Sequence, residues 1–387
     1  MKYKRLSECA EYRQERTRQI DFETYISTEN MLPNKSGISV AESLPDTKTT
    51  SKYLPNDILL SNIRPYFKKI WLSNREGGCS NDVLVVTAKS DYLPEYLYYV
   101  LSDNNFFNYD TVTSKGTKMP RGTPKAIMKY LVPDVDIEYQ KRIISILSKY
   151  DNLIEANNKR IKILERMAEE LYKEWFVRFR FPGYETTEFE NGIPKGWDIV
   201  RMNNFCYVTD GTHDTPAPTI DGVPLVTGKS LKEGFVDFSE TYNISIKDHK
   251  QIKKRSGLKD GDILFSNIGT VGSTCVVDYD REFSVKNVII FKLDAIEKTV
   301  YLYLWLNSKP MQDIFSMQTN GSSQQFVGLT FMRKYKVMVP QQNVLEKFCS
   351  LVNPIFEERK ILHRENEYLM KQRDLLLPRL MSGKLEV

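Results

Sequence analysis

The stretch EYQKRIISILSKYDNLIEANNKRIKILERMAEELYKEWFVRFR, residues 138–180, decides how this chain is organised. Apolar residues recur in it every seven positions in two offset series, the pattern of a long helix that packs along a partner helix. No Pro or Gly interrupts the pattern before Pro182-Gly183, which ends it. Roughly 40 residues at ~1.5 Å each predict a rod of about 60 Å. Asn157 falls within the seam, where a polar residue usually fixes register and partner.

A second long helix is predicted from about residue 343 to residue 381, with a less regular heptad pattern. Pro354 lies in its first turns and predicts a kink or a later helix start, and Pro378 weakens the last turn. Two rods of similar length in one chain pair most simply with each other, and an antiparallel pair allows a globular unit at each end. The residues predicted at the interface of the two helices are Leu147, Ile154, Ile161, Leu164, Leu171, Ile355, Leu362, Leu369 and Leu376.

The chain also contains an internal repeat. NDILLSNIR (56–64) matches GDILFSNIG (261–269), and the same shift of 205 residues places YLYYVLS (96–102) on YLYLWLN (301–307). A Val-Pro pair closes each unit, and a long helical stretch follows it. Chance matches between strand-rich segments would not agree on one shift. The chain therefore divides into a first globular unit, a helical region, a second globular unit and a second helical region, at residues 1–135, 136–184, 185–340 and 341–387.

The two globular units have a mixed composition of short strands and few helices. The strands are β-branched runs bounded by Gly, Asn, Asp or Ser, and each unit holds one aromatic-rich helix. The second unit opens with NGIPKGWDIVRM (191–202), a turn-rich segment before a strand, and the first unit lacks this opening. The predicted fold class is α+β, with two similar mixed domains that are each followed by a long helix and an antiparallel coiled coil between the helices.

Composition sets further bounds on the protein. Its 387 residues carry a formal net charge of +5, which permits nucleic acid binding without demanding it. The five cysteines are scattered and form no CxxC pair, so neither a disulfide framework nor a zinc knuckle is expected. No segment has the pattern of a signal peptide or a membrane span. A cytoplasmic protein with reduced thiols and no membrane partner is the expectation.

Searches for catalytic or cofactor motifs give no convincing set. PLVTGKS (224–230) contains Gly-Lys-Ser, but the spacing from Gly222 leaves five residues where a phosphate-binding loop needs four. No glycine-rich turn follows a strand as in a dinucleotide or S-adenosylmethionine site. Pro133-Asp134 with Lys141 resembles only a fragment of a nuclease motif. The three histidines lie too far apart for metal-ligand spacing, so no metal site is expected. The pattern indicates a protein that binds and positions rather than one that catalyses.

Polar loops in both globular units carry side chains suited to nucleic acid. Arg and Lys contact guanine edges or phosphates, and Asn and Gln contact adenine edges. Each such residue has the alternative of a solvated loop position, and Asn62 and Asn267, which recur in both units, have the alternative of a turn or capping role. The candidate DNA-binding residues are Asn62, Arg64, Lys115, Thr117, Lys118 and Arg121 in the first unit, and Thr212, His213, Lys229, Asn267, Ser322, Ser323, Gln324 and Gln325 in the second.

The layout resembles the specificity subunit of type I restriction–modification enzymes. IPKGW (193–197) is similar to the opening of a target recognition domain in that family. LYKEWFVRFRFPG (171–183) resembles its central helical region, and LLLPRLMSGKLEV (375–387) resembles its distal region. The resemblance covers nearly the whole chain, and the helical segments carry most of it. Recognition loops in this family vary with the sequence read, so DNA-contacting residues are not transferred position by position.

The resemblance implies a sequence-specific, non-catalytic DNA-binding subunit. Each target recognition domain would read one half of a split target on double-stranded DNA, and the paired helices would fix the spacing. Two methyltransferase subunits would dock on the helices, and ATP-dependent restriction subunits would join them. Those partners would bind S-adenosylmethionine and ATP, so no cofactor is expected in this chain. Two other classes stay open on the residues alone: a coiled-coil scaffold that binds proteins, and an enzyme with an unrecognised site.

Overall fold

The structure is a computed structural model that describes residues 2–278, 281–319 and 326–385. It separates into two units, Met1–Asn158 with His363–Val387, and Lys159–Leu362. The boundary falls within both long helices, so each unit holds a segment of each. The four-segment division drawn from the sequence, which follows the helix ends, stays a prediction.

The first unit is built on a four-stranded antiparallel sheet. Its order is Ala10–Tyr12, Val83–Ala88, Ile58–Ser61 and Ile70–Leu72. A second sheet joins Arg16–Thr17, Thr50–Tyr53, Gly77–Cys79 and Tyr25–Ile26, and Lys2–Arg5 pairs with Leu131–Asp134. Its shorter helices are Leu6–Cys9, Pro94–Ser102, Asn104–Thr113 and Pro124–Ile127.

The second unit repeats this plan on a sheet of the same strand order. Tyr207–Asp210, Val288–Lys292, Ile263–Ser266 and Thr274–Val276 form the four-stranded antiparallel sheet. A three-stranded sheet joins Tyr242–Ile244, Val223–Val226 and Ser284–Val285. Three two-stranded sheets pair Asp198–Arg201 with Lys336–Val339, Leu231–Lys232 with Phe235–Val236, and Phe189–Glu190 with Ile193–Pro194. Its shorter helices are Met202–Phe205, Ile246–Ser256, Ile296–Asn307, Lys309–Thr319 and Leu329–Lys334.

The repeated Asp-Ile-Leu-x-Ser motif has a structural cause. The buried carboxylate of Asp57 accepts a bond from the Leu54 amide at 2.7 Å, and that of Asp262 accepts one from the Lys259 amide at 2.9 Å, so each closes the turn into its strand. Burying the carboxylate requires a cation, which Arg13 supplies in the first unit and Lys292 in the second. At the other end of each strand the Ser hydroxyl donates to the carbonyl two residues later, Ser61 to Ile63 and Ser266 to Ile268.

The aromatic helix of each unit is anchored by a repeated tyrosine. Tyr96 donates its hydroxyl to the Pro133 carbonyl at 3.0 Å, and Tyr301 donates to the Met338 carbonyl at 2.6 Å. Both carbonyls lie in the strand that leads into a long helix. Without IPKGW the first unit still forms the matching strand pair, because Lys2–Arg5 takes the place of Asp198–Arg201.

The long helices run from Ile137 to Tyr172 and from Gln342 to Met381. The first ends in a π-helical turn at Lys173–Val177, short of the predicted residue 180. The second begins at Gln342, so the late start expected from Pro354 is wrong, and it continues past Pro378 to Met381. No helix within the described ranges combines the length and apolar character that crossing a lipid bilayer requires.

Within each unit the two helices lie antiparallel. In the first unit Asp151 pairs with Arg373 at 2.6 Å, and Asn157 bonds Asn366 at 3.0 Å. In the second unit Glu165 pairs with Arg359 at 2.7 Å, and the Trp175 and Phe348 rings lie 5.5 Å apart. Rising numbers on one helix meet falling numbers on the other, which confirms the predicted antiparallel pairing and the α+β fold class. The nine residues predicted at the helix interface are all buried or half-buried, whereas Ile163 and Met167 beside them are exposed.

Candidate nucleic-acid interface

Two segments of the first unit meet beyond the end of the central strand Ile58–Ser61. The Arg64 amide donates to the Pro120 carbonyl at 2.8 Å, and the Gly122 amide donates to the Asn62 carbonyl at 3.0 Å. Residues distant in sequence are thereby joined through their main chains. Four of the predicted residues, Lys115, Thr117, Lys118 and Arg121, lie in the segment that is held in this way.

This segment, which we call the 115–121 loop, closes on itself. The main chains of Lys115 and Arg121 exchange two hydrogen bonds of 2.9 Å, and Gly116 takes the left-handed φ of 95° that the tight loop requires. The side chains of Lys115, Thr117 and Lys118 are exposed. The Arg121 guanidinium, also exposed, pairs with Asp82 at 3.1 Å. A rigid stem therefore presents three cations and a hydroxyl to solvent, which suits phosphate and base-edge contacts.

Arg64 sits in an unusual turn next to this loop. Arg64 and Lys68 flank the short helix Pro65–Phe67 with left-handed φ values of 50° and 52°. A non-glycine residue in this region costs on the order of 1 kcal/mol, and backbone strain of this kind is enriched at functional sites. The Arg64 guanidinium lies 6.0 Å from the Phe67 ring, and its Nε atom has no hydrogen-bond partner among the described residues.

The second unit holds the counterpart segments together in the same way. The Val327 amide donates to the Asn267 carbonyl at 3.0 Å, and the Asn267 side chain donates to the Val327 carbonyl at 3.3 Å. Asn267 is buried, and its main chain and side chain both bond Val327, which fits the turn alternative; DNA contact by Asn267 stays a prediction. Ile268 and Phe326 form a bridge and are both exposed. The predicted residues Ser322, Ser323, Gln324 and Gln325 lie outside the described residues.

The remaining predicted residues of the second unit occupy two further turns. Thr212 is buried, and its hydroxyl accepts a bond from the Asp214 amide at 3.1 Å. His213, the next residue, is exposed, and its two ring nitrogens hydrogen-bond the side chains of Asn287 and Asp210, each at 2.9 Å. Lys229 is exposed in the turn Gly228–Ser230, whose Gly228 carbonyl accepts from Thr270 in the loop after the central strand. Lys229 therefore lies on a turn bonded to the segment that carries Asn267.

No group of three or more potential metal ligands occurs in the part of the chain that the structure describes. The five thiols are free and buried. Burial raises the pKa of Cys79, Cys206 and Cys275 to about 12, which keeps these thiols protonated and unreactive.

The two units have the same strand order, and in each a returning segment is bonded to the end of the central strand. The family model for the type I restriction modification DNA specificity domain matches residues 5–166 and 194–362. The chain belongs to this family. It is a specificity subunit of type I restriction–modification systems with two recognition domains, and the resemblance seen in the sequence is confirmed.

Relatives of this specificity subunit span most of its length. It is 28% identical over 328 residues to the type I restriction enzyme MjaIX specificity subunit of Methanocaldococcus jannaschii, which covers 78% of this chain and 71% of that protein. It is 24% identical over 452 residues to the HindI specificity subunit of Haemophilus influenzae, covering 95% and 96%. The solved S subunit from M. genitalium superposes with a TM-score of 0.53 at 13% identity, covering 98% and 96%, and shares the fold.

Several side chains of this specificity subunit adjoin the predicted residues but were missed from the sequence. Tyr66 is exposed beside Phe67, and Lys68 follows it. In the second recognition domain Asn287 bonds His213, and Arg255 pairs with Asp210 next to it. Tyr66 and Lys68 follow the predicted residue Arg64 directly in the chain, whereas the fold brings Asn287 and Arg255 to His213 and Asp210 from distant segments. The repeat register offered no signal for them, because they are not shared by the two domains.

Proposed function

We propose that each recognition domain reads one half of a split target on double-stranded DNA. The observation that carries this proposal is the shared bond between the Asn carbonyl after the central strand and a returning segment, Asn62 to Gly122 and Asn267 to Val327. The scaffold is the same in both domains, whereas the neighbouring side chains differ. Arg121 in the first domain stands where Phe326 stands in the second. A main-chain scaffold that is shared by the two domains but carries different exposed side chains suits the reading of two different half-sites.

In the first domain the reading surface is the 115–121 loop together with the turn that carries Arg64. Its cations neutralise phosphates and hold the domain in register, and Arg side chains in the major groove discriminate guanine. In the second domain the exposed pair Ile268 and Phe326 adds apolar contact, of the kind that thymine methyl groups accept.

We assign the two long helices the role of a spacer between half-sites. The first long helix, Ile137–Tyr172, contains 36 residues, which corresponds to a length of about 54 Å at ~1.5 Å per residue. Ion pairs and the buried Asn157–Asn366 contact resist sliding of one helix along the other. A spacer with a fixed register would give one gap length rather than a range.

Docking of two methyltransferase subunits is the further role that we propose for the helices. Tyr368 and Leu375 lie seven residues apart on the second helix, within the first unit, and are 64% and 66% exposed. A heptad series that faces solvent is typical of a helix face that packs against another protein. This stripe supports a protein partner on that face.

The chemistry of the complex belongs to partner subunits in this proposal. Methyltransferase subunits would bind S-adenosylmethionine and flip an adenine out of the duplex. ATP-dependent restriction subunits would join the same core. The specificity subunit would then be a non-catalytic component without a cofactor of its own.

Methylation mapping tests the proposal. The chain is expressed with the methyltransferase of its system in a host that lacks N6-methyladenine, and the host DNA is sequenced for that base. One split motif with a fixed gap, methylated on both strands, is the expected result. A soluble complex that leaves the DNA unmethylated and binds no duplex in preference to another would overturn it and favour a scaffold for proteins.

A further inference from the structure

Three carboxyl and amide oxygens converge beneath the 115–121 loop. A Cβ atom placed on Gly122 would lie 2.6 Å from Asp110 Oδ1, 2.8 Å from Asn62 Oδ1 and 3.2 Å from Asp110 Oδ2. Asp110 is 0% exposed, and none of the three oxygens has a hydrogen-bond partner among the described residues. Buried acceptors without a donor are rare, since each costs roughly 1–3 kcal/mol. This cluster lies directly under the point where the loop joins the sheet.

The second recognition domain fills the same place with apolar side chains. In the register of the repeat, Asp110 corresponds to Phe315 and Gly122 corresponds to Val327. Both Phe315 and Val327 are fully buried, and the Phe315 ring packs 4.9 Å from that of Phe265. An ordinary core contact therefore suffices to hold the second loop. The first domain has instead a carboxyl group and a glycine that leaves room for it.

The surroundings of Asp110 favour its neutral form. Burial raises the pKa of its carboxyl to about 7, and no other cause contributes. Its titratable neighbour is Tyr12 on the adjoining strand, whose own pKa is raised by burial first and by Asp110 second. Arg64 and Lys68 flank one neighbouring turn, and Lys125 lies on the neighbouring helix, yet none offsets the burial of Asp110.

We propose that Asp110 is a positioning residue for the first recognition domain: its neutral carboxyl seats Gly122 and the 115–121 loop, and its ionisation unseats them. This inference rests on the proposed reading of a half-site by that loop. A negative charge shared by the two Asp110 oxygens beside the unpaired Asn62 Oδ1, with no cation that offsets it, is relieved by moving the loop so that water can enter. Recognition of the first half-site is then lost as pH rises, whereas recognition of the second half-site is not.

The magnitude follows from the fraction of molecules with a neutral carboxyl. With a pKa of about 7, that fraction falls from roughly nine-tenths at pH 6 to roughly one-tenth at pH 8. A molecule with an unseated loop would bind the intact and the changed duplex equally, so discrimination at the first half-site scales with the competent fraction and falls about 10-fold between these values.

The experiment measures binding of the methyltransferase complex to labelled duplexes at pH 6, 7 and 8 and constant ionic strength. Discrimination at each half is the ratio of Kd for a duplex with one base changed in that half to Kd for the intact target. We expect the first ratio to fall about 10-fold with rising pH and the second to stay constant. Asp110→Asn, which cannot ionise, should hold the first ratio at its pH 6 value throughout.

Asp103→Asn is the matched control, since Asp103 is a buried carboxyl at the opposite, N-terminal end of the same helix, where it accepts a bond from the Asn105 amide and does not adjoin the loop. It should keep the wild-type pH profile. A flat wild-type profile at the first half-site, or equal falls at both halves, overturns the inference while leaving half-site reading intact. No discrimination at either half at any pH would instead overturn the proposed function. The wild-type profile decides the matter even if Asp110→Asn does not fold.

Discussion

The buried amide pair Asn157 and Asn366 allows a sharp test of how the helix seam is held. Asn157 donates to Asn366 Oδ1 at 3.0 Å and to Glu365 at 2.9 Å, and Asn366 donates to Asn158 at 2.8 Å. Both amides are almost fully buried. Replacing Asn157 alone by Leu leaves the Asn366 oxygen without a donor inside the seam. The cost of such an orphan is about 1–3 kcal/mol, while the exposed Glu365 recovers its bond from water.

The double variant Asn157→Leu with Asn366→Leu should behave differently. With both polar groups gone no orphan is left, and two apolar side chains pack in the seam. Replacing a buried polar pair by apolar residues is neutral or stabilising in other proteins. We therefore expect the double variant to be at least as stable as the wild type, with a coupling energy of about 1–3 kcal/mol between the two positions.

Native-state hydrogen exchange of the helix amides around residue 157 measures these differences, because it reports local opening without assuming that two units unfold together. Asn152→Leu on the exposed face of the same helix is the control and should change little. A single variant as stable as the double would refute the reasoning. The methylated gap should be the same in the double variant, since the Asp151–Arg373 pair still marks the register.

Three further predictions concern DNA and assembly. Leu164→Asp or Leu369→Asp places a charge in the helix seam at a cost of about 3 kcal/mol. Either variant should abolish the fixed gap in methylation maps and weaken subunit assembly. An unchanged target would argue against the spacer role of the helices. Arg121→Ala should weaken DNA binding about 10-fold and reduce base discrimination at the first half-site only, as measured with duplexes that carry one changed base. Equal loss of discrimination at both half-sites would argue against one domain reading each half. Tyr368→Ser should weaken methyltransferase binding about 30-fold in titration calorimetry without altering DNA preference, whereas unchanged binding would exclude this stripe as the docking face.

The long helices and the repeat were predictable because their signals are local and redundant. A heptad pattern needs no knowledge of the fold, and the shared Asp57 and Asp262 mark a turn that each unit must make. Proline positions were less informative. Pro354 and Pro378 lie inside the second helix, since tertiary packing outweighs the loss of one hydrogen bond.

The candidate site was predictable only in part. The polar composition of the loops pointed to Lys115, Lys118 and Arg121, which the fold leaves exposed. The burial of Thr212 and the approach of Asn287 to His213 depend on strand pairing, which composition does not encode. The repeat register could have revealed Asp110, because a charged residue stands there opposite Phe315 within matching helices. Only the structure adds that its carboxyl is buried without a partner.

Duplication explains why the differences between the two domains carry the functional information. Residues that both domains need for folding, such as the Asp at the turn and the Tyr on the helix, are the same in each. Residues that would choose bases are free to differ, and Arg121 against Phe326 is one such difference. Asp110 and Gly122 differ from their counterparts too, yet they lie in the interior, where a pure packing role would favour apolar side chains. A buried difference of this kind is most simply understood as a difference in how the loop is controlled, and so in the conditions under which one half of the target is read.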